Sequence, residues 1–260
     1  QGLEKAVKNL QKENQAARRA ILVALGQIGD PRAVEPLAAA LADPDADLAV
    51  AAAQGRREIG DPAAAPALVA ALKDFRRGAR QAIYQNWKAI GVRSDSIEFN
   101  LGVNQAAARA LESIGWQPDQ DEAAAWYWLG RGEWERCAAL AGTAVAPLVA
   151  ALNEAQPAER LQAAAALGRI KDGRAVEALI VALGDWDVKL RLAAALALGQ
   201  IQDSRAIEPL AATLDQKDKI VRAAALQALA EFGTAGRLAL IQAVQSRHED
   251  VRIAAIQAMG

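Results

Sequence analysis

A short signature, Gly-x-Ile-x-Asp, constrains the fold of this chain more than any other feature of its sequence. It occurs at residues 26–30, 168–172 and 199–203, and the last two copies are 31 residues apart. Arginines step by the same 31 residues, from Arg160 to Arg191 to Arg222. A fixed period of roughly 20–50 residues, with two helical segments in each period, is typical of an α-solenoid. The sequence therefore predicts an all-α fold, a right-handed superhelix of about seven to eight helical hairpins.

Composition supports a helical chain and excludes several other classes of protein. Hydrophobic residues make up 53% of the chain and aromatic residues only 4%, so the apolar content is mostly Ala, Leu, Val and Ile. No segment has the period-2 alternation of a β-strand. The net charge of −1 argues against a broad nucleic-acid-binding surface. The single Cys137 allows no intrachain disulfide and no Cys-based zinc site, and we expect a cytoplasmic protein without a membrane span.

Local signals divide each hairpin into a first helix, called helix A, and a second, called helix B. We expect one helix B at residues 15–28 and the following helix A at residues 32–41. Asp30-Pro31 should open that helix A, since Asp is a favoured N-cap and Pro is tolerated at the first helical position. The period breaks down in the centre of the chain. We therefore divide one continuous solenoid into regular repeats at 1–91, irregular repeats at 92–142 and regular repeats at 143–260.

The repeated residues resemble a known family. The pattern Arg-x-x-Ala-Ala-x-Ala-Leu-Gly-x-Ile-x-Asp-x-Arg-Ala-Val-Glu-Pro-Leu is similar to the HEAT-like repeats named after phycobilisome lyases. Residues 160–214 match it best, and residues 18–41 match it well. The resemblance covers most of the chain and is specific for the fold, whereas such repeats serve proteins of many functions.

The resemblance also implies a ladder of Asp–Arg pairs that ties the turn inside each hairpin to the next repeat. An acidic residue precedes the arginine of helix B by six positions at Asp185 and Arg191, and by seven at Asp215 and Arg222. We expect a structural role for these pairs, because a pair repeated in every unit does not single out an active site. Ala49 and Asn104 occupy the arginine position in two units, so the ladder should be weakest there.

The leading functional hypothesis is a non-catalytic scaffold or adaptor that binds another protein. In HEAT-like repeats helix B lines the concave face, and the residues around its arginine point outward. An apolar patch with a polar rim favours a protein partner. The candidate partner-binding residues are Leu161, Gln162, Arg169, Val188, Lys189, Leu192, Leu196 and Gln227.

A second hypothesis starts from a cluster of aromatic residues in the irregular centre. Because residues two apart on a helix point in nearly opposite directions, Trp126 and Trp128 should not both be buried in one core. The cluster is interpreted either as a core plug or as a binding patch. The resemblance to lyase repeats implies a phycobilin lyase subunit or chromophore chaperone, paired with a second HEAT subunit, as the alternative function. A bilin would then stack on the aromatic rings, with an arginine paired to its propionates. The members of this aromatic patch are Trp126, Tyr127, Trp128, Arg131, Trp134 and Arg136.

Other chemistries receive little support. His248 is the only histidine, so we predict neither a metal site nor a Ser-His-Asp triad. Cys137 is interpreted as a buried small apolar residue, although Arg131 and Arg136 are near enough in sequence to lower a thiol pKa. Arg76, Arg77 and Arg80 offer a local phosphate site, but the balanced charge argues against nucleic acid as a partner.

Overall fold

The computed structural model describes residues 14–59, 61–73 and 102–259. Within these ranges the regular structure is helical, and no β-strand occurs. The chain divides into two compact units, Gln1–Glu133 and Trp134–Gly260, which are here called the amino-terminal and carboxyl-terminal units. The division falls inside the segment 92–142, whose period is irregular in sequence.

The amino-terminal unit contains six described α-helices. Helices α1 and α3 pack side by side, α3 packs on α5, and α2 and α4 pack against α3 and α5 respectively. The predicted helix B at 15–28 is confirmed, and the predicted helix A at 32–41 begins with a 3-10 turn, Pro31–Ala33. The helices are α1 Gln15–Ile28, α2 Val34–Leu41, α3 Ala46–Ile59, α4 Ala65–Ala71, α5 Val103–Ser113 and α6 Glu122–Arg131.

The carboxyl-terminal unit contains nine described α-helices. The B helices α9, α11, α13 and α15 stack in one row, and each packs on its own A helix, which is α8, α10, α12 or α14. The short α7 packs against α9. The helices are α7 Trp134–Ala139, α8 Val145–Glu154, α9 Pro157–Ile170, α10 Val176–Ala182, α11 Val188–Ile201, α12 Ile207–Thr213, α13 Lys219–Glu231, α14 Thr234–Ala243 and α15 Glu249–Met259.

The same capping chemistry opens three A helices. The side chain of Asp30 accepts a hydrogen bond from the backbone N–H of Arg32, and Asp172 and Asp203 make the same bond two residues onward. Bonds from the side chain and the backbone of Arg32 lower the pKa of Asp30 to about 2. The predicted capping role of the Asp in the signature is therefore confirmed.

The glycine of the signature allows neighbouring B helices to approach closely. A Cβ atom added to Gly26 in α1 would lie 2.3 Å from the Cα of Gly55 in α3. In the other unit, a Cβ on Gly199 in α11 would lie 2.9 Å from the Cα of Ala228 in α13. The repeated glycine is thus a packing requirement of the B-helix row, because no side chain fits at these contacts.

Candidate functional site

An arginine ladder fixes the turns that border the B helices of the carboxyl-terminal unit. Arg160 donates to the carboxylate of Asp185 at 2.6 Å, and Arg191 donates to Asp218. Arg222 donates to Asp250 at 2.7 Å and to the backbone carbonyls of Gln216 and Lys217 at 2.8 Å each. Each arginine therefore joins its own hairpin to the next one, as the resemblance implied.

The ladder differs from the sequence pattern in which residue supplies the carboxylate. Asp185 serves the arginine of the preceding repeat, and the carboxylate that Arg222 contacts belongs to Asp250 and not to Asp215. The carboxylate of Asp215 instead forms an ion pair with the exposed Arg247 at 3.7 Å, and the backbone carbonyl of Asp215 accepts a hydrogen bond from the same side chain at 3.0 Å. The physical reason is that the side chain of each ladder arginine extends toward the next hairpin in the stack. The carboxylate therefore comes from the next hairpin, and the arginine's own hairpin supplies backbone carbonyl oxygens.

In helix α3, Ala49 occupies the arginine position, and another residue makes the hydrogen bonds to the neighbouring hairpin segments. Arg56 is 2% exposed and donates to the carbonyl oxygens of Val34 and Ala64, each at 2.8 Å. These carbonyls lie where the two neighbouring A helices begin. Burial lowers the pKa of Arg56. Sequence reasoning missed this arginine, which occupies the repeat position that holds a buried leucine in other B helices, as at Leu25, Leu167 and Leu198.

The accessible side of α9, α11, α13 and α15 forms a surface that is here called the helix-B face. All eight residues predicted as partner-binding lie on its first three helices and are at least partly accessible. The opposite side of the same helices is buried and rich in Ala and Leu. The face comprises Leu161, Gln162, Arg169, Val188, Lys189, Leu192, Leu196, Ala223, Gln227, Glu231 and Ile253.

An apolar row crosses the helix-B face. Its members each follow the arginine of their own B helix, so they occupy one equivalent position on four successive helices: Leu161, Leu192, Ala223 and Ile253. Leu196 lies one turn further along α11 and widens the row. Packed helices lie roughly 8–10 Å apart, so the row is about 25–30 Å long. The helices themselves rise about 20 Å over their 14 residues in α9 and α11.

Polar groups border this row at the carboxyl ends of the B helices. Arg169 forms an ion pair with Glu135 of α7. Glu231 is exposed, and its backbone carbonyl accepts a hydrogen bond from the side chain of Gln202 at 2.7 Å. The helix-B face is thus apolar along its middle and polar along this edge, the pattern of a protein-binding surface.

The proposed aromatic patch needs correction for two of its residues. Trp126 and Tyr127 are only 6% and 5% exposed, because α6 turns both rings into the core of the amino-terminal unit. The indole N–H of Trp126 donates to Glu122 at 2.8 Å, and Tyr127 packs on Trp116 with a centroid distance of 5.3 Å. These two rings plug the core and offer no open surface for stacking a bilin.

The other members of the patch remain accessible. Trp128 is half-buried, as expected for a residue two positions from a buried tryptophan, and its ring meets Tyr127 edge-on at 4.9 Å. Arg131 is engaged in an ion pair with Glu112. In the other unit, Trp134 is partly accessible and Arg136 is exposed. Four of the six predicted residues are therefore at least partly accessible, two in each unit, whereas Trp126 and Tyr127 are buried.

One exposed aromatic residue was missed by the sequence analysis. Trp186, in the turn between α10 and α11, is 78% exposed. The equivalent turn position carries Ala155, Lys217 or Arg247 in the other three hairpins. An alignment of the repeats by their arginines would have revealed this residue, because a large apolar side chain stands where its counterparts are small or charged.

Cys137 is buried, as predicted. Its side chain is inaccessible in α7, and burial raises the pKa of the thiol to about 12. The neighbouring arginines therefore do not produce the lowered pKa that was the alternative.

We predict that native Cys137 resists thiol reagents at mildly alkaline pH. A pKa near 12 leaves only about one thiolate in 10,000 at pH 8, and the thiolate is the reacting species. A chromogenic disulfide reagent should therefore label the native protein negligibly and the urea-unfolded protein at one thiol per chain. Rapid labelling of the folded protein would contradict the burial of this thiol.

The part of the chain that the structure describes has neither a metal-binding cluster nor a helix suited to crossing a membrane. Across residues 14–59, 61–73 and 102–259, no group of three or more His, Cys, Asp and Glu side chains is arranged to hold a metal ion. In the same part of the chain, no helix combines the length and apolarity needed to cross a membrane. The basic cluster at Arg76, Arg77 and Arg80 lies outside the described residues.

The stacked hairpins and the arginine ladder define an all-α solenoid of helical repeats. The family model of HEAT repeats matches residues 3–87 and 145–230, which is more than half of the chain, and the protein belongs to this family. No curated protein sequence matches the chain.

Several solved structures are similar to this chain at low sequence identity. Human deoxyhypusine hydroxylase in complex with glycerol is 24% identical, with a TM-score of 0.40 over 99% of this chain and 94% of that one. The complex of CpcE and CpcF of phycocyanin lyase from Nostoc sp. PCC7120 is 22% identical, with a TM-score of 0.33 over 99% and 93%. Computationally designed armadillo repeat proteins for modular peptide recognition are 18% identical, with a TM-score of 0.39 over 99% and 98%. These likenesses concern the helical-repeat fold alone.

Proposed function

We propose that this protein is a non-catalytic scaffold that binds another protein on the helix-B face of its carboxyl-terminal unit. The observation that carries the proposal is the apolar row at equivalent positions of four successive B helices, with polar residues along its edge. Leu161, Leu192 and Ile253 are not required to fill the core, because Ala and Leu on the opposite side of each helix already do so. Large apolar side chains kept at the surface in a row indicate a binding surface.

The size of the row also favours a protein partner over a small metabolite. The helix-B face as a whole, about 25–30 Å along the row and 20 Å along the helices, covers roughly 500–600 Å², close to the ~800 Å² that each partner contributes to a standard protein–protein interface. A small-molecule site is instead a concave pocket with a few convergent polar groups. The helix-B face has a distributed apolar strip and scattered charges, so a protein segment fits it better.

The test is a double substitution in the middle of the row, Leu192→Glu with Leu196→Glu. Two carboxylates on successive turns of α11 would have to be desolvated on binding, so we expect at least a tenfold loss of affinity. The wild type and the variant are immobilised and exposed to native lysate, and the retained proteins are compared quantitatively by mass spectrometry. Far-UV circular dichroism verifies that the variant keeps its helicity.

A matched control places the same charges on exposed apolar residues of A helices. Val181 in α10 and Leu238 in α14 are highly exposed, so Val181→Glu with Leu238→Glu should leave capture by the helix-B face unchanged. A partner retained equally by the wild type and by the Leu192/Leu196 variant would show that the helix-B face is not the binding surface.

The bilin hypothesis makes a separate prediction. A lyase subunit or chromophore chaperone should shift the absorbance of a free bilin when the protein is added at tens of micromolar, a typical weak-to-moderate affinity. The burial of Trp126 and Tyr127 argues against stacking at the aromatic patch, so we expect no shift. A clear spectral shift that is lost on substituting Trp128 or Trp134 would favour the alternative function.

A further inference from the structure

One edge of the carboxyl-terminal unit combines exposed apolar side chains with outward-facing lysines. Trp186 is 78% exposed in the turn before α11, and Ile220 is 63% exposed in the first turn of α13. Three exposed lysines lie within three residues of one or the other: Lys189, Lys217 and Lys219. This group of five residues is here called the Trp186 edge.

The structure brings the two parts of the edge together through the ladder. Arg191 donates to the carbonyl oxygens of Asp185 at 2.7 Å and Trp186 at 3.2 Å, and it also donates to the carboxylate of Asp218. A second bond joins the same two turns, since the side chain of Gln216 donates to the carbonyl of Leu183 at 3.1 Å. The backbone that carries Trp186 is therefore held firmly beside the turn that leads to Ile220.

The acidic and basic side chains at this edge differ in what they contact. Three carboxylates make hydrogen bonds within the unit. Asp185 and Asp218 accept from ladder arginines, and Asp187 accepts from the backbone N–H of Lys189 as the N-cap of α11. Within the described part of the chain, no ion pair engages the three lysines. Asp215 and Asp218 are also accessible, but each is paired with an arginine, Arg247 and Arg191 respectively. The three lysines are thus the cations at this edge that no carboxylate of the described residues pairs with.

Stability of the helices does not explain these lysines. Lys189 and Lys219 lie in the first turns of α11 and α13, where the partial positive charge of the helix end disfavours a cation. Neither helix has an acidic residue in its first turn, whereas α15 has two, Glu249 and Asp250. Lysines that lie at an unfavourable position beside an exposed tryptophan indicate a partner of opposite charge.

We propose that the Trp186 edge anchors an acidic segment of a protein partner, with an apolar side chain of that segment packed on the indole of Trp186. Tryptophan is the residue type most enriched at the energetic centres of interfaces, and complementary charge sets the orientation of the partner. The edge is continuous with the helix-B face through Lys189, which belongs to both. The inference rests on the proposed scaffold function, because it specifies the chemistry of the same partner.

The observations favour a protein segment over an anionic membrane. Electrostatic attachment to a membrane uses clusters of about four to eight basic residues. The Trp186 edge has three lysines and two large apolar side chains, which suits an acidic peptide of a few residues.

The test is a selection of displayed random peptides of about 15 residues against the full chain, repeated against Trp186→Ala. We expect the wild type to enrich peptides that are acidic and contain at least one large apolar residue, and the Trp186→Ala protein to lose them. A synthetic copy of the most enriched peptide is then measured by fluorescence anisotropy. Trp186→Ala, and separately the triple change Lys189→Gln, Lys217→Gln and Lys219→Gln, should each weaken binding at least tenfold at low salt.

Controls separate this edge from the rest of the molecule. Arg237 is an exposed cation on α14, away from the Trp186 edge in sequence and on an A helix, so Arg237→Gln should leave the affinity unchanged. The Leu192→Glu/Leu196→Glu variant distinguishes the two proposals. If it binds the peptide normally and Trp186→Ala does not, the edge stands as a site even where the helix-B face fails.

Three results would overturn the proposal. They are an absence of enriched peptides, enrichment of basic peptides, and enriched peptides that bind Trp186→Ala as well as the wild type. Phosphatidylserine vesicles are tested in parallel by sedimentation. Binding to these vesicles that requires Trp186, without peptide enrichment, would assign the edge to a membrane instead.

Discussion

Substituting Gly26 with alanine should destabilise the amino-terminal unit by about 3 kcal/mol, the upper part of the usual range for overpacking a core. The new Cβ would lie 2.3 Å from the Cα and 2.8 Å from the carbonyl oxygen of Gly55. Both obstructing atoms belong to the backbone of α3, so no side-chain rotation relieves the clash. Helices α1 and α3 must move apart, which loosens the contact between two successive hairpins.

The measurement is thermal unfolding followed by far-UV circular dichroism. A loss of about 3 kcal/mol lowers the midpoint by roughly 6–12 °C in a domain of this size. The control is Gly184→Ala, because the nearest atom to a Cβ there is 3.6 Å away, an ordinary contact. Gly184→Ala should change the midpoint little or raise it slightly, since alanine restricts the unfolded chain. Equal effects at the two glycines would show that helices α1 and α3 do not make the close contact described.

Repetition is the reason that so much of the fold was predictable. A signature that occurs three times, with two of the copies 31 residues apart, carries both the cap and the close contact of a hairpin, so each copy supports the interpretation of the others. The boundaries of α1 and the capping role of Asp30 were predicted correctly because they depend on local chemistry. The candidate positions on the B helices came from the resemblance to HEAT-like repeats, and their side chains are at least partly accessible in the structure.

Features that do not repeat were harder to predict. The carboxylate that each ladder arginine contacts depends on how far successive hairpins are offset, and that offset is not a local property of the sequence. Arg56 and Trp186 each depart from the residue type found at the equivalent position of other hairpins, so the period alone did not predict what their side chains do. The core position of Trp126 depended on how α6 packs in the amino-terminal unit, which its sequence left open between a core plug and a surface patch.

The ladder and the Trp186 edge together suggest how binding relates to stability in the carboxyl-terminal unit. Arg191 fixes the turn that carries Trp186, so part of the stabilising network also preorganises a surface residue. Preorganisation reduces the entropy lost when a partner binds. Leu192 follows this arginine directly, which places the apolar row and the fixed turn on the same helix.

Replacing Arg222 with methionine should destabilise the carboxyl-terminal unit by about 3 kcal/mol, the lower end of the cost of breaking a buried ion pair, because the side chain of Asp250 is 29% exposed. Arg222 is 6% exposed and holds the carboxylate of Asp250 together with two backbone carbonyls. Methionine fills much of the same volume but makes none of these bonds. Urea unfolding at neutral pH measures the loss, with Arg205→Met as the control. Arg205 is half exposed and pairs with Asp203 at the surface, so its loss should leave the urea midpoint nearly unchanged.

Acidification provides an independent check on the same interaction. Burial acts to raise the pKa of Asp250, but the hydrogen bonds and charge of Arg222 outweigh it and leave this pKa below the ordinary 3.8. Because the pKa is lowered in the folded state, the pair contributes its full stability above about pH 4 and loses it as the pH falls further. The difference in unfolding free energy between wild type and Arg222→Met should therefore be constant near neutral pH and shrink below about pH 4. A difference that stays constant into acid would show that the variant loses packing alone, and that the charge of Asp250 plays no part in the ladder.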